Sequence, residues 1–233
     1  MDLNIKGIVF DKDGVLFDFR ATWEVWAERF LLRAAKGDRE LAKSMGDAVG
    51  FDLDQHRFER TSVVIAGTPA EIASVLRPFV PDMTNLVETL NDEARTAPQV
   101  ETVPLVPLMS QLRQRGMRLG VATNDGAAPA KAHLAAVGAE TMFDFVAGYD
   151  SGYGGKPEPG QLLEFCRRED LMAAQCIMVG DSLHDMMAAK AAGMSRIAVL
   201  TGMATHEDLA PHADAVLPDI GHLPTWLDNQ PAT

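Results

Sequence analysis

The stretch Val9–Asp18, "VFDKDGVLFD", decides how the rest of the chain is read. It completes an apolar run, Ile5–Phe10, then sets Asp11 and Asp13 two residues apart, with Lys12 between them and Gly14 after. The core of the run, "GIVF", is apolar at consecutive positions, as in a strand buried on both faces. Such strands belong to parallel sheets, and paired acids at a carboxyl end stand where those sheets build their clefts.

Downstream of Pro98, strands and helices alternate. "VPLMSQLRQRG" reads as a helix ended by Gly116, "MRLGVAT" as a strand, and "PAKAHLAAVG" as a helix ended by Gly138. Then come "FDFVAG" (strand), "EPGQLLEFCRRED" (helix), "AQCIMVG" (strand), "LHDMMAAKAAG" (helix), "SRIAVLTG" (strand) and a last short strand in "ADAVLPD". This alternation predicts an α/β fold with a parallel sheet covered on both faces. Between Thr22 and Thr96 the periodicity is helical instead. Thr22 is a candidate N-cap for a helix through "WEVWAERFLLRAAK" that stops at Gly37. Thr68, Pro69 and Glu71 have the spacing of a capping box with proline at the first helical position. "SVVIA" at Ser62–Ala66 fits either a strand or a helix, and the tail "DNQPAT" reads as a frayed end. A helical insert therefore interrupts the α/β core after its first strand: core 1–17 and 98–233, insert 18–97.

The polar residues after each apolar strand form a pattern. Asp11, Lys12 and Asp13 follow "GIVF"; Thr123, Asn124 and Asp125 follow "LGVA"; Lys156 follows "FVAGYDSGYGG"; Asp181, Ser182 and Asp185 follow "CIMVG". Neighbouring parallel strands would bring them into one cleft. Clustered carboxylates raise one another's pKa unless a cation intervenes, so Asp11, Asp13 and Asp181 invite a metal. An all-oxygen, carboxylate donor set favours Mg2+, which keeps several waters and suits phosphate. Lys156 and Thr123 suit phosphoryl oxygens as their charge grows. One aspartate can attack phosphorus while a second handles the proton. Each piece alone has a plainer explanation. "DKDG" also makes a solvated turn, Thr123 and Asn124 also cap helices, and Ser182–Asp185 also spells a capping box. The four pieces in this order, each behind a buried strand, are what coincidence explains poorly.

Those residues resemble the haloacid dehalogenase superfamily of phosphatases. "DKDGV" is similar to its first motif, DxDx(T/V), "VATN" to the second, "GKPEPG" to the third-motif lysine and "GDSLHD" to the fourth, GDxxxD. The branch it most resembles is the phosphoglycolate phosphatase-like one. The resemblance implies a Rossmann-like, doubly wound parallel sheet with an inserted α-helical cap of the C1 type. It implies Asp11 as the nucleophile that forms an aspartyl phosphate, and Asp13 as general acid and base, its backbone carbonyl binding the metal. It further implies that Thr123 bonds the phosphoryl group with Asn124 beside it, and that Lys156 balances charge on Asp11 and the phosphate. Asp181 would ligate Mg2+, and Asp185 would hold a metal-bound water or orient Lys156. Family dehalogenases lack an acid at the Asp13 position, which favours phosphate chemistry. Lys12 is a departure, because many relatives are apolar there; in strand phase it points away from Asp11 and Asp13, with no catalytic role expected. In the insert, Trp23, Trp26 and Phe30 sit at helical spacing and read as packing, and Arg20 reads as a solvated charge near the hinge.

The expected function is Mg2+-dependent hydrolysis of a small phosphorylated metabolite, phosphoglycolate or similar. A sugar phosphomutase uses the same acid pair, but the serine- and arginine-rich cap loop of those relatives is not found here. A phosphonatase needs a cap lysine, and Lys36 and Lys43 stand in no recognisable context. A phospho-accepting signalling domain shares the residue kit but is shorter and carries no insert. A non-catalytic binding protein on this fold would have no use for the complete set.

The bulk numbers agree. The chain has 233 residues, 47% hydrophobic and 23% charged, with a net charge of -12. That balance argues against a broad nucleic-acid-binding face. Cys166 and Cys176, with no CxxC, read as buried free thiols. No signal peptide is recognised, and no apolar run approaches the ~20 residues of a membrane span. A cytoplasmic monomer or homodimer is expected.

Overall fold

The computed structural model describes residues 4–229. The first strand, β1 (Gly7–Phe10), leads into helices α1 (Phe19–Ala34) and α2 (Arg39–Val49), then a two-stranded hairpin, β2 (Phe51–Asp52) and β3 (Arg57–Phe58). Helices α3 (Val63–Ala66), α4 (Pro69–Leu76) and α5 (Leu86–Ala94) complete the insert. The chain returns through α6 (Leu105–Gln114), β4 (Arg118–Ala122), α7 (Ala127–Ala136), β5 (Phe145–Ala147), α8 (Gly160–Arg168) and β6 (Cys176–Gly180). It ends with α9 (Leu183–Ala192), β7 (Ser195–Val199), α10 (His206–Leu209), β8 (Ala215–Leu217) and α11 (Leu223–Asp228).

Six strands form one parallel sheet in the order β5-β4-β1-β6-β7-β8. Alternation along β1 shows why it is doubly wound. Ile8 and Phe10 pack with Leu105, Met109 and Leu134 of α6 and α7, whereas Val9 packs with Leu162, Phe165 and Ala189 of α8 and α9. The insert has a separate cluster around Trp26, Phe30, Met45, Phe51 and Leu76.

The chain builds β1 to the centre, then β4 and β5 on one side, then crosses to β6 on the other. This places a topological switch at β1, where ligand clefts form. Register fixes what meets there: Phe10 pairs with both Val121 and Val179, so Asp11, Thr123 and Asp181 leave three adjacent strands at the same end.

Three local readings change. Helix α1 is capped by Asp18, whose Oδ1 accepts from Ala21 N–H, and Thr22 is buried inside the helix. The ambiguous "SVVIA" is helical, with the Ser62 hydroxyl accepting from Val64 N–H. Of the terminal stretch read as frayed, Asp228 closes α11 and pairs with Arg115, and residues 230–233 lie outside the described residues. The Thr68–Glu71 capping box forms as expected. Cys166 and Cys176 are buried and free.

Candidate active site

One cleft is lined by Asp11, Asp13, Thr123, Asn124 and Lys156 on the sheet side and by Phe19, Trp23, Trp26, Ile65 and Ile72 on the insert side. At its floor, Asp11 Oδ1 accepts from the Lys12 backbone N–H at 2.6 Å and pairs with Lys156 Nζ at 2.7 Å. Burial pushes the Asp11 carboxyl up to about 7 against the pull of Lys156, with Asp185 and Asp13 adding repulsion. The same ammonium pairs with Asp185 Oδ1 at 2.7 Å. Burial pulls the Lys156 pKa down, but Asp11 and Asp185 outweigh it and hold it above the ordinary lysine value. Lys156 therefore stays charged, fixed between two acids.

Asp185 does both things its sequence context suggests. Its Oδ2 accepts from the Ser182 N–H at 3.1 Å and hydroxyl at 2.7 Å, closing a capping box at α9, while Oδ1 orients Lys156. Carboxylate oxygens of Asp11, Asp181 and Asp185 lie within 4.8 Å of one another. Lys156 offsets one of these three buried charges. Burial, with Asp11 and Asp185 alongside, raises Asp181 well above the usual carboxylate range. A compact, oxygen-only set with excess negative charge fits a hard divalent cation such as Mg2+. Gly14, with φ of +76°, lets the backbone pass against Asp181, where a Cβ would collide with that carboxylate. The Asp13 carboxylate is outside this cluster.

Asp13 is held instead by Lys12, which overturns the expectation for that lysine. Lys12 is fully buried, and its Nζ lies 3.0 Å from Asp13 Oδ2, 3.0 Å from Asp125 Oδ2 and 2.9 Å from His133 Nδ1. It also sits 5.2 Å from the centre of the Trp23 ring. Burial alone would lower the Lys12 pKa; Asp13 and Asp125 outweigh it and raise it. Burial likewise pushes Asp125 up, in spite of Lys12. Strand alternation failed here because the strand ends at Phe10: the Leu16 and Phe17 N–H groups both donate to the Lys12 carbonyl, so the chain has already turned.

Asn124 is also used differently. Its amide donates to the Ala66 carbonyl and the Lys156 carbonyl, both at 2.8 Å, and its carbonyl accepts from Lys156 N–H at 2.7 Å. The side chain expected beside a phosphoryl group is thus committed to fastening the insert loop and the Lys156 backbone. Thr123 is buried at the floor; its Oγ1 accepts from Asp125 N–H, leaving the hydroxyl proton to donate. Trp23 and Trp26, expected to be packing, pack and also wall the cleft; Arg20 is exposed.

The network contains two residues to which the sequence assigned no role, Asp125 and His133. Asp125 was visible in "TNDG", directly after a strand. His133 carried no signal, being 121 residues from Lys12. Its protonation follows from its partners: Nδ1 faces an ammonium and must accept, and Nε2, 2.7 Å from the Ala94 carbonyl, must donate. Burial first, then the Lys12 charge, lowers the His133 pKa to about 4. Between pH 6.5 and 4 the unfolded chain binds this proton and the folded chain does not. The contribution is complete above pH 6.5 and is lost as pH falls toward 4, with a slope of about 1.4 kcal/mol per pH unit. Urea unfolding at pH 7.5 and 5.0 is expected to differ by about 2 kcal/mol more in the wild type than in His133→Gln. Equal differences would refute a neutral buried His133.

Comparison with known proteins identifies the family. The family model for haloacid dehalogenase-like hydrolases matches residues 5–193. A phosphoglycolate phosphatase of Cupriavidus necator is 30% identical over 77% of this chain and 92% of its own. The probable phosphatase IndB of Dickeya dadantii is 37% identical, over about half of each chain (53% and 54%). A haloacid dehalogenase-like hydrolase structure from Bacteroides fragilis superposes with a TM-score of 0.71 at 20% identity, covering 94% of this chain and 99% of that one, a likeness of fold. Among the described residues no helix is long and apolar enough to cross a membrane. With its buried acids and lysine gathered at the switch point of a doubly wound sheet, the chain belongs to the haloacid dehalogenase-like hydrolases.

Proposed function

We propose that the chain is an Mg2+-dependent phosphatase that hydrolyses a small phosphate monoester through an aspartyl phosphate on Asp11. The observation that carries this reading is the Asp11 carboxylate, held at Oδ1 by Lys156 Nζ and the Lys12 N–H at the base of a cleft. Oδ2 attacks phosphorus in line with the leaving oxygen. Lys156, the Thr123 hydroxyl and the Asn124 backbone N–H receive the phosphoryl oxygens as their charge grows. Asp13 gives a proton to the departing alkoxide, then takes one from the water that hydrolyses the acyl phosphate. Asp11, Asp181 and the Asp13 carbonyl would hold the metal, with Asp185 keeping Lys156 in place. When bound there, Mg2+ supplies positive charge to the phosphoryl oxygens and relieves repulsion among the acids. Residues 18–97 act as a cap over a core of 1–17 and 98–233, excluding water while the ester reacts.

The test is phosphate release from a panel of metabolite esters with and without Mg2+. Chelation is expected to abolish release. Restoring Mg2+ to about 100 times its Kd is expected to raise unfolding free energy by about 2.7 kcal/mol. If Mg2+ changes neither turnover nor stability, the metal assignment is wrong.

A further inference from the structure

The cleft has two chemically different halves. Its polar side chains all come from the sheet: Asp11, Asp13, Thr123, Asn124, Asp125 and Lys156, with Ser182 and His184 at the α9 end. The surface the insert contributes is apolar and aromatic, with Phe19, Trp23, Trp26, Ile65, Ile72 and Leu90. Trp23 and Trp26 meet edge to face at 5.2 Å, and Trp26 stacks on Phe30 at 5.3 Å, so this roof is stiffened from behind.

We infer that the ester this site takes is the phosphate of an uncharged apolar alcohol, preferably one carrying an aromatic ring, rather than a carboxylate-bearing or polyhydroxylated one. The inference rests on the phosphatase reading above and names its substrate class. A leaving group reaching from the phosphoryl site toward the roof meets no cation. Lys156 is held by Asp11 and Asp185, and Lys12 by Asp13 and Asp125. Four cations of the insert are engaged elsewhere, Arg33 with Glu93, Arg39 and Lys43 with Asp54, and Arg60 with Asp208, and no lysine or arginine of the insert lines the cleft. A substrate carboxylate would lose its hydration there without a partner, and buried unpaired charge is strongly disfavoured.

Hydroxyl groups fare little better. In the roof loop the Ala66 carbonyl accepts from Asn124, and the Gly67 N–H donates to the Val63 carbonyl. Trp26 Nε1 is a buried donor with no partner among the described residues. A single buried donor cannot answer the several hydroxyls of a sugar. An aromatic ring instead buries its surface against two indoles and three aliphatic side chains.

Esters of alkyl alcohols distinguish these substrates without the bias of an activated leaving group. Wild-type kcat/KM is expected to be about 10- to 100-fold higher for 2-phenylethyl phosphate than for phosphoglycolate or glycerol phosphate. Half-buried Ile65, changed to arginine, is expected to move that ratio at least tenfold toward phosphoglycolate. Binding is read separately, by tryptophan fluorescence in Mg2+, with 2-phenylethylphosphonate and 3-phosphonopropionate as non-hydrolysable probes. Tighter binding of the phenyl probe with no hydrolysis of any ester supports the apolar site and removes the phosphatase reading. Turnover that favours phosphoglycolate or glycerol phosphate, or equal binding of the two probes, overturns the inference and leaves phosphatase activity standing.

Discussion

Replacing Lys12 with methionine is expected to destabilise the protein by about 3–5 kcal/mol, more than any other single change beside the cleft. Methionine nearly matches the length of the lysine and keeps contact with Trp23, so the loss is one of charge rather than of volume. Asp13 and Asp125 would be left facing each other with no cation, and His133 Nδ1 would lose its donor. The full cost of removing one partner from a buried ionic network falls on those that remain. The double variant Lys12→Met, Asp125→Asn removes one of the two stranded carboxylates and is therefore expected to be more stable than Lys12→Met alone. Urea unfolding of the wild type, Lys12→Met, Asp125→Asn and the double variant completes the cycle. A Lys12→Met loss below about 1 kcal/mol, the range of an exposed ion pair, would show that Lys12 is solvated in solution.

Asp11→Asn is expected to lower turnover by about 10^4-fold or more, as loss of a nucleophile does in enzymes whose catalytic groups act as a unit. An amide nitrogen or carbonyl in place of Oδ2 cannot form the acyl phosphate. The fold should survive, because Lys156 keeps Asp185 and one of three mutually repelling buried acids is gone. Thermal unfolding is thus expected at or above the wild-type temperature. Acid quenching during turnover of a radiolabelled ester should leave label on the wild type and none on the variant. Activity within tenfold of wild type, in a folded sample, would exclude Asp11 as the nucleophile.

Much of this arrangement was legible in the chain because the rules behind it are local. Consecutive apolar residues announced the buried strands, and the residues after each strand announced what the cleft would contain. Capping boxes at Thr68–Glu71 and Ser182–Asp185 were readable because their partners lie three residues apart. Local reading failed where two local answers competed. Thr22 and Asp18 are both N-cap residue types, Asp the stronger, and packing of the insert placed Phe19 and Thr22 inside the helix, leaving Asp18 at its start. It failed again at Lys12, where alternation was carried two residues beyond the end of the strand.

By itself, the sequence determined that buried parallel strands would deliver Asp11, Thr123, Lys156 and Asp181 to one end of a sheet, because burial, periodicity and capping depend on near neighbours. Only the tertiary structure decided which charge answers which. Lys156 is divided between Asp11 and Asp185, Lys12 between Asp13 and Asp125, Asn124 is spent on the insert loop, and two tryptophans become a wall of the cleft. In a buried, poorly screened interior those pairings are set by distances of about 3 Å between groups remote in sequence, and such distances exist only once the chain has folded.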